Sequence, residues 1–105
     1  MSGQTKLEET IHSIADGIMK VVKTCQKYGC NKVFVSAITF RPNFPNEVSK
    51  LNNILESWQV THDFKLIYNN NIDATCISRD RRHLNNKGKN ILSSNFVNIL
   101  NKLYN

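Results

Sequence analysis

The chain is 105 residues long, enough for one domain or part of one and too short for several. Its residues are 40% hydrophobic and 21% charged, a mixture too apolar for a disordered tail and too interrupted for a membrane protein. Fourteen Lys and Arg against eight Asp and Glu leave a net charge of +6, which permits a polyanionic partner such as nucleic acid without requiring one.

The first residues, Met1-Ser2-Gly3-Gln4-Thr5, carry no apolar run of the secretory-signal kind, so the chain as written is expected in the cytoplasm or nucleus and off the membrane. From Leu7 to Cys25 the apolar residues recur at three- and four-residue steps, predicting an amphipathic helix over roughly residues 6–28 with Gly29 as its C-cap. Lys32-Val33-Phe34-Val35-Ser36-Ala37-Ile38 is β-branched, aromatic and nearly continuous in its apolarity, the pattern of a strand buried on both faces. Arg41-Pro42-Asn43-Phe44-Pro45 reads as a loop because each proline biases its predecessor away from helix. A second helix begins near Pro45 or Asn46, with Val48, Leu51, Ile54, Leu55 and Trp58 as its apolar stripe. Phe64-Lys65-Leu66-Ile67-Tyr68 reads as a short strand ended by Asn69-Asn70-Asn71, and a last helix runs from about Asn86 to Leu103. The abundance of asparagine along the chain is read as a compositional bias of the coding sequence.

The expected order is α-β-α-β-α, with parallel strands in an α/β architecture. Two strands make a poor sheet, and a strand buried on both faces needs a neighbour on each side. The chain therefore reads as part of a larger sheet domain, and self-association through an exposed sheet edge is expected of it alone. Cys25, Cys30 and Cys76 are odd in number and lack Cys-x-x-Cys pairing, so they are expected to be reduced and mostly buried. With His83 they supply four potential zinc ligands, but their spacing matches no standard pattern, and no metal or cofactor is assigned.

The stretch most informative about chemistry is Asp80-Arg81-Arg82-His83-Leu84-Asn85-Asn86-Lys87-Gly88, a loop running into the last helix. A carboxylate three residues before a histidine can bond one ring nitrogen and leave the other facing a nucleophile, which is half of a Ser-His-Asp triad. On spacing alone the pair is also read as a solvated loop with Asn85 capping the helix. Arg79, Arg81 and Arg82, with Lys87 and Lys89, form a basic cluster beside it that reads either as a solvated face or as a phosphate or nucleic-acid binding surface.

The block Asp80-x-x-His83-Leu84-Asn85-x-x-Gly88 resembles the final block of the SGNH/GDSL hydrolases. Lys32 to Pro42 is similar to that family's penultimate core strand and the loop ending in an arginine. Leu51-Asn52-x-x-Leu55 is similar to the helix that follows, and Phe64 to Asn69 to its last strand; together they cover roughly residues 7–104 in order. The resemblance implies the C-terminal part of a flavodoxin-like three-layer α/β/α sandwich, with residues 1–105 as a partial domain. It implies that His83 is the general base, that Asp80 orients it, and that the parent reaction is ester hydrolysis through an acyl-serine. The family's Gly-Asp-Ser nucleophile block and Gly-x-Asn-Asp block match nothing here; Ser2-Gly3 resembles neither. Without nucleophile and oxyanion donors the chain alone is expected to be an inefficient esterase. The alternatives are a noncatalytic basic binding module and a truncated product without a role of its own.

Overall fold

The computed structural model of the chain describes residues 6–104; the N-terminal pentapeptide and Ser2-Gly3 lie outside them. Helix α1 spans Lys6–Lys27, with Glu8 and Glu9 in its first turn and Lys27 in its last, the charge order favoured by the helix dipole. Gly29 ends it at φ 95°, a left-handed geometry that glycine adopts without steric cost. The amides of Gly29 and Cys30 return to the carbonyls of Gln26 and Cys25, each at 3.1 Å, closing the helix as a Schellman motif.

Strand β1, Phe34–Ser36, is followed by α2, Pro45–Thr61, with proline in the first turn, where no amide hydrogen is needed. Strand β2, Lys65–Ile67, leads through a 3₁₀ turn at Ala74–Cys76 to α3, Asn86–Tyr104. β1 and β2 pair in parallel, Val35 opposite Leu66. Ile11, Ala15, Met19 and Val22 of α1 pack with Leu51 and Leu55 of α2 and with Phe64 and Leu66, and Trp58 lies half-buried against this core. No hydrophobic side chain described in α3 is fully buried; Ile91, Leu92, Phe96 and Ile99 are half-covered.

The expected three-layer sandwich is not formed. The described residues are mostly helical, and the sheet is two strands of three residues each. Two strands about 4.8 Å apart are only about as wide as one helix, so they cannot serve as a middle layer for several. The closest backbone approach of α1 is to α2. The chain is 18 Å through its thinnest dimension, where two spacings of about 10 Å plus helix radii require about 25 Å. Its radius of gyration, 15.1 Å, exceeds the ~13 Å of a compact chain of this length.

Side-chain amides stand where further strands are missing. Asn52 of α2 brackets Ile38, accepting from its amide at 2.8 Å and donating to its carbonyl at 3.0 Å. Gln59 accepts from the outward amide of Leu66 at 3.1 Å. Asn69, buried, donates to the carbonyl of Ala37 at 2.8 Å and to Ser36 Oγ at 3.0 Å, and accepts from Asn95 of α3 at 2.9 Å. The outward amides of Phe34 and Ser36 have no partner among the described residues, so β1 keeps an open edge. No helix among the described residues is long and apolar enough to cross a membrane.

Asn69→Ala removes the link between β1, β2 and α3 and leaves buried polar groups unpaired, a loss of about 1–3 kcal/mol. Urea unfolding followed by circular dichroism measures it, and an unchanged midpoint contradicts the role given to Asn69.

Candidate functional site

Two loops leave the carboxyl ends of the parallel strands, residues 37–44 after β1 and 68–85 after β2. In open α/β arrangements this end collects ligands because the loops diverge there. Arg81 Nε donates to Asn43 Oδ1 at 3.3 Å and ties the two loops together.

The second loop is built as a small reversal. Ile77 and Leu84 form an isolated antiparallel bridge. The Ser78 amide donates to the His83 carbonyl at 2.8 Å, and the Arg81 amide to the Ser78 carbonyl at 3.0 Å. Arg81 sits at φ 63°, a left-handed conformation costing about 1–2 kcal/mol for a residue with a Cβ, which the surrounding hydrogen bonds enforce.

Asp80 lies within this reversal. Its Oδ1 accepts from the backbone amides of Arg82 at 2.9 Å and His83 at 3.1 Å, the Asx-turn geometry that aspartate favours. Its Oδ2 is hydrogen-bonded to His83 Nδ1. The His83 ring first, and then the two amides, hold the Asp80 carboxyl well below its usual 3.8. With Nδ1 engaged by Asp80, the neutral ring keeps its free lone pair on Nε2, the arrangement a general base needs. The His83 side chain is 77% exposed and that of Asp80 46%, so Nε2 is open to an incoming group.

The far end of the loop is fastened. Asn85 accepts from the Gly88 amide at 2.9 Å as the cap of α3 and donates from Nδ2 to the Thr75 carbonyl at 2.8 Å. A Cβ at position 88 would lie 2.6 Å from the Cys76 carbonyl oxygen, so only glycine lets the first turn of α3 approach the 3₁₀ turn this closely. Asp73 caps that turn by accepting from the Thr75 amide at 2.9 Å, and Lys87 Nζ donates to Thr75 Oγ1 at 2.7 Å.

Arg79, Arg81 and Arg82 are all exposed. Arg79 and Arg81 line an open cleft of about 540 Å³ with Phe40, Pro42, Ala74 and Ile77, while Arg82 stands outside that lining. The structure thus joins Asp80 to His83 and brings two of the three arginines to a cleft between the loops. It brings no nucleophile to the histidine: no described serine, threonine or cysteine is hydrogen-bonded to the His83 ring. Ser36 Oγ is taken up with the Ala37 carbonyl and Asn69, Ser78 is half-buried within the loop, and Ser93 and Ser94 lie exposed on α3.

Of the cysteines, Cys76 is buried, Cys25 half-buried and Cys30 exposed, so the expectation that they are mostly buried fails at Cys30. The described residues hold no group of three or more His, Cys, Asp or Glu able to bind a metal ion. His12 is exposed, and His62 packs edge-on against Trp58 with ring centroids 5.8 Å apart. Sequence reasoning missed Phe40, which lines the cleft from the first loop, and Asn43, which accepts from Arg81. It also missed the backbone amides that buttress Asp80, although an aspartate followed by two polar residues is a turn signal. The chain matches no known protein family, no curated protein and no solved structure.

A depressed folded-state carboxyl stabilises the loop fully above its unfolded value of 3.8, and that stabilisation is lost as the pH falls through the lower folded-state value. The Asp80 carboxyl resonance is expected to titrate below 3.8, and its midpoint to rise in His83→Ala while staying depressed by the two remaining amides. A wild-type midpoint at or above 3.8 in an NMR titration contradicts this.

Proposed function

We propose that the chain carries the base half of an SGNH/GDSL-like ester hydrolase site, His83 acting as general base and Asp80 as the group that orients it. The observation behind this reading is the Asp80 carboxylate, held by two backbone amides and engaged with His83 Nδ1 so that Nε2 is the open nitrogen. In such a site Nε2 removes the proton of the attacking hydroxyl and returns it to the leaving alkoxide, while Asp80 stays ionised and stabilises the imidazolium. With no serine in contact, the described residues activate water and form no acyl-serine. General-base assistance of this kind is worth about 10²–10⁴-fold at best, and less on an exposed ring.

The purified chain is expected to hydrolyse an activated acetyl ester slowly, without a burst and without labelling by a fluorophosphonate serine probe, and His83→Ala is expected to abolish the excess over the buffer rate. A rate indifferent to His83→Ala overturns the reading, and so does robust turnover with probe labelling, which requires a complete triad.

A second reading rests on the arginines. Three exposed guanidiniums within four residues, two of them lining a cleft with Phe40, form a surface for phosphate groups of a nucleic acid. Binding to single-stranded RNA is expected to weaken with salt, and the slope of log K against log salt is expected to fall by about 2 when Arg79, Arg81 and Arg82 become glutamine together. Binding that ignores both salt and these substitutions excludes this reading.

A further inference from the structure

The end of helix α1 brings together two cysteines that stand five positions apart in the sequence. In the Schellman motif that closes the helix, the Gly29 amide returns to the Gln26 carbonyl and the Cys30 amide to the Cys25 carbonyl. The residues joined by the outer of these two bonds are the pair whose side chains meet in such a motif, commonly as an apolar contact. Here both side chains are thiols. The 3.1 Å bond from the Cys30 nitrogen to the Cys25 oxygen, extended by standard bond lengths, leaves the two Cα atoms no more than about 7 Å apart. Because an N–H bond is inclined to its own N–Cα bond, the path bends at the nitrogen, and the separation falls within the range of about 4.4–6.8 Å that a disulfide spans.

Exposure favours the same pair. Cys30 is exposed and Cys25 half-buried, so a dissolved reagent reaches Cys30 first and Cys25 is the neighbour able to complete the exchange. Cys76 is buried in the 3₁₀ turn, with its Sγ on Asp73 Oδ1 at 3.8 Å, and presents no open sulfur. Packing accounts for a buried cysteine as a small apolar residue, but it does not account for the exposed one at position 30. Gln26, between the two cysteines, donates from Nε2 to the carbonyls of His62 and Asp63 at 2.9 and 3.0 Å, fastening the end of α1 to the end of α2. A covalent bond across residues 25–30 braces the corner at which the two helices are joined.

We propose that Cys25 and Cys30 form a dithiol modification site that closes reversibly to an internal disulfide by exchange with a small disulfide oxidant of the glutathione class. The Cys30 thiolate attacks one sulfur of the oxidant and expels a thiolate, leaving a mixed disulfide. The Cys25 thiolate then attacks the Cys30 sulfur, forms the internal S–S bond and expels the second thiolate. Two electrons pass from the protein to the oxidant, and the two protons lost by the cysteines end on the two small thiols. The site is independent of the His83 chemistry.

The test is equilibration of the full chain with reduced and oxidised glutathione, followed by alkylation, trypsin digestion after lysine and mass spectrometry. The peptides of residues 24–27 and 28–32 are expected to be joined through sulfur, with Cys76 alkylated. A disulfide that suits the fold forms more readily within it, so the equilibrium constant in buffer is expected to exceed that in urea by about tenfold or more. Gly29→Ala places a Cβ where nothing lies within 4 Å but where φ is 95°, so it disturbs only the backbone of the motif. It is expected to remove most of that excess while the helical signal persists, and Cys76→Ala is expected to leave the excess unchanged. Equal constants in buffer and urea overturn the proposal, a comparison that stands whether or not Gly29→Ala folds. A folded Gly29→Ala chain that keeps the whole excess overturns it too, as does oxidation that pairs Cys76 or links two chains in place of joining Cys25 to Cys30.

Discussion

Two three-residue strands cannot satisfy their own backbones, and most of what is particular about this chain follows from how that deficit is met. In a wide sheet each strand finds its partners in the next. Here Asn52 brackets Ile38, Gln59 takes the amide of Leu66, and the Asn69 amide binds the end of β1 while its oxygen receives Asn95 from α3. A side-chain amide carries a donor and an acceptor in one planar group, so it imitates the peptide of an absent strand. The Asn69 contacts also set the position of α3, which buries no large side chain fully and so depends on polar attachments for its place.

That placement carries through to the loop with Asp80 and His83. α3 begins at Asn86 under the cap of Asn85, whose amide also bonds the Thr75 carbonyl, and the Gly88 turn lies against Cys76. The preceding residues are therefore pinned at both ends, by the Ile77–Leu84 bridge and by the cap, and the reversal between them presents Asp80 and His83 as a preassembled pair. The exposure of the pair and the lack of a nucleophile belong to the same geometry. The loop stands at the carboxyl end of a sheet that is two strands wide among the described residues, and no third described strand brings a catalytic turn alongside. The arginines share the position, and their charge makes the cleft attractive to anions whatever the ring does.

Much of the local structure was readable. The three- and four-residue spacing of apolar side chains located the helices, Gly29 and Pro45 marked their ends, and Asp80 and His83 stood at a separation that one turn can close. The sandwich was not readable, and the expected burial of Lys32 to Ile38 on both faces is not met: Phe34–Ser36 is half-buried and only Ala37 in the stretch is buried, because apolarity records a preference for burial without supplying the neighbours that provide it. α1 and α2 cover much of the core face, and asparagine and glutamine side chains cover part of the edges. The asparagines, read as bias, were the signal for that substitution. Position 52 sits on the half-buried side of α2 and position 69 directly follows an apolar strand, both places where an amide is retained for a bond rather than for solubility.

Sequence alone determined the helix boundaries, the strand-like segments, the basic balance and the short separation of Asp80 from His83, because each depends on residues within a few positions of one another. Only the tertiary structure decided how many strands meet, which amides complete them, that Arg81 reaches Asn43, and that Cys30 is exposed. Those outcomes join positions tens of residues apart, and they are set by which surfaces find partners once the chain has packed. Local spacing records that a residue is apolar or polar; only the packed chain records what stands opposite it.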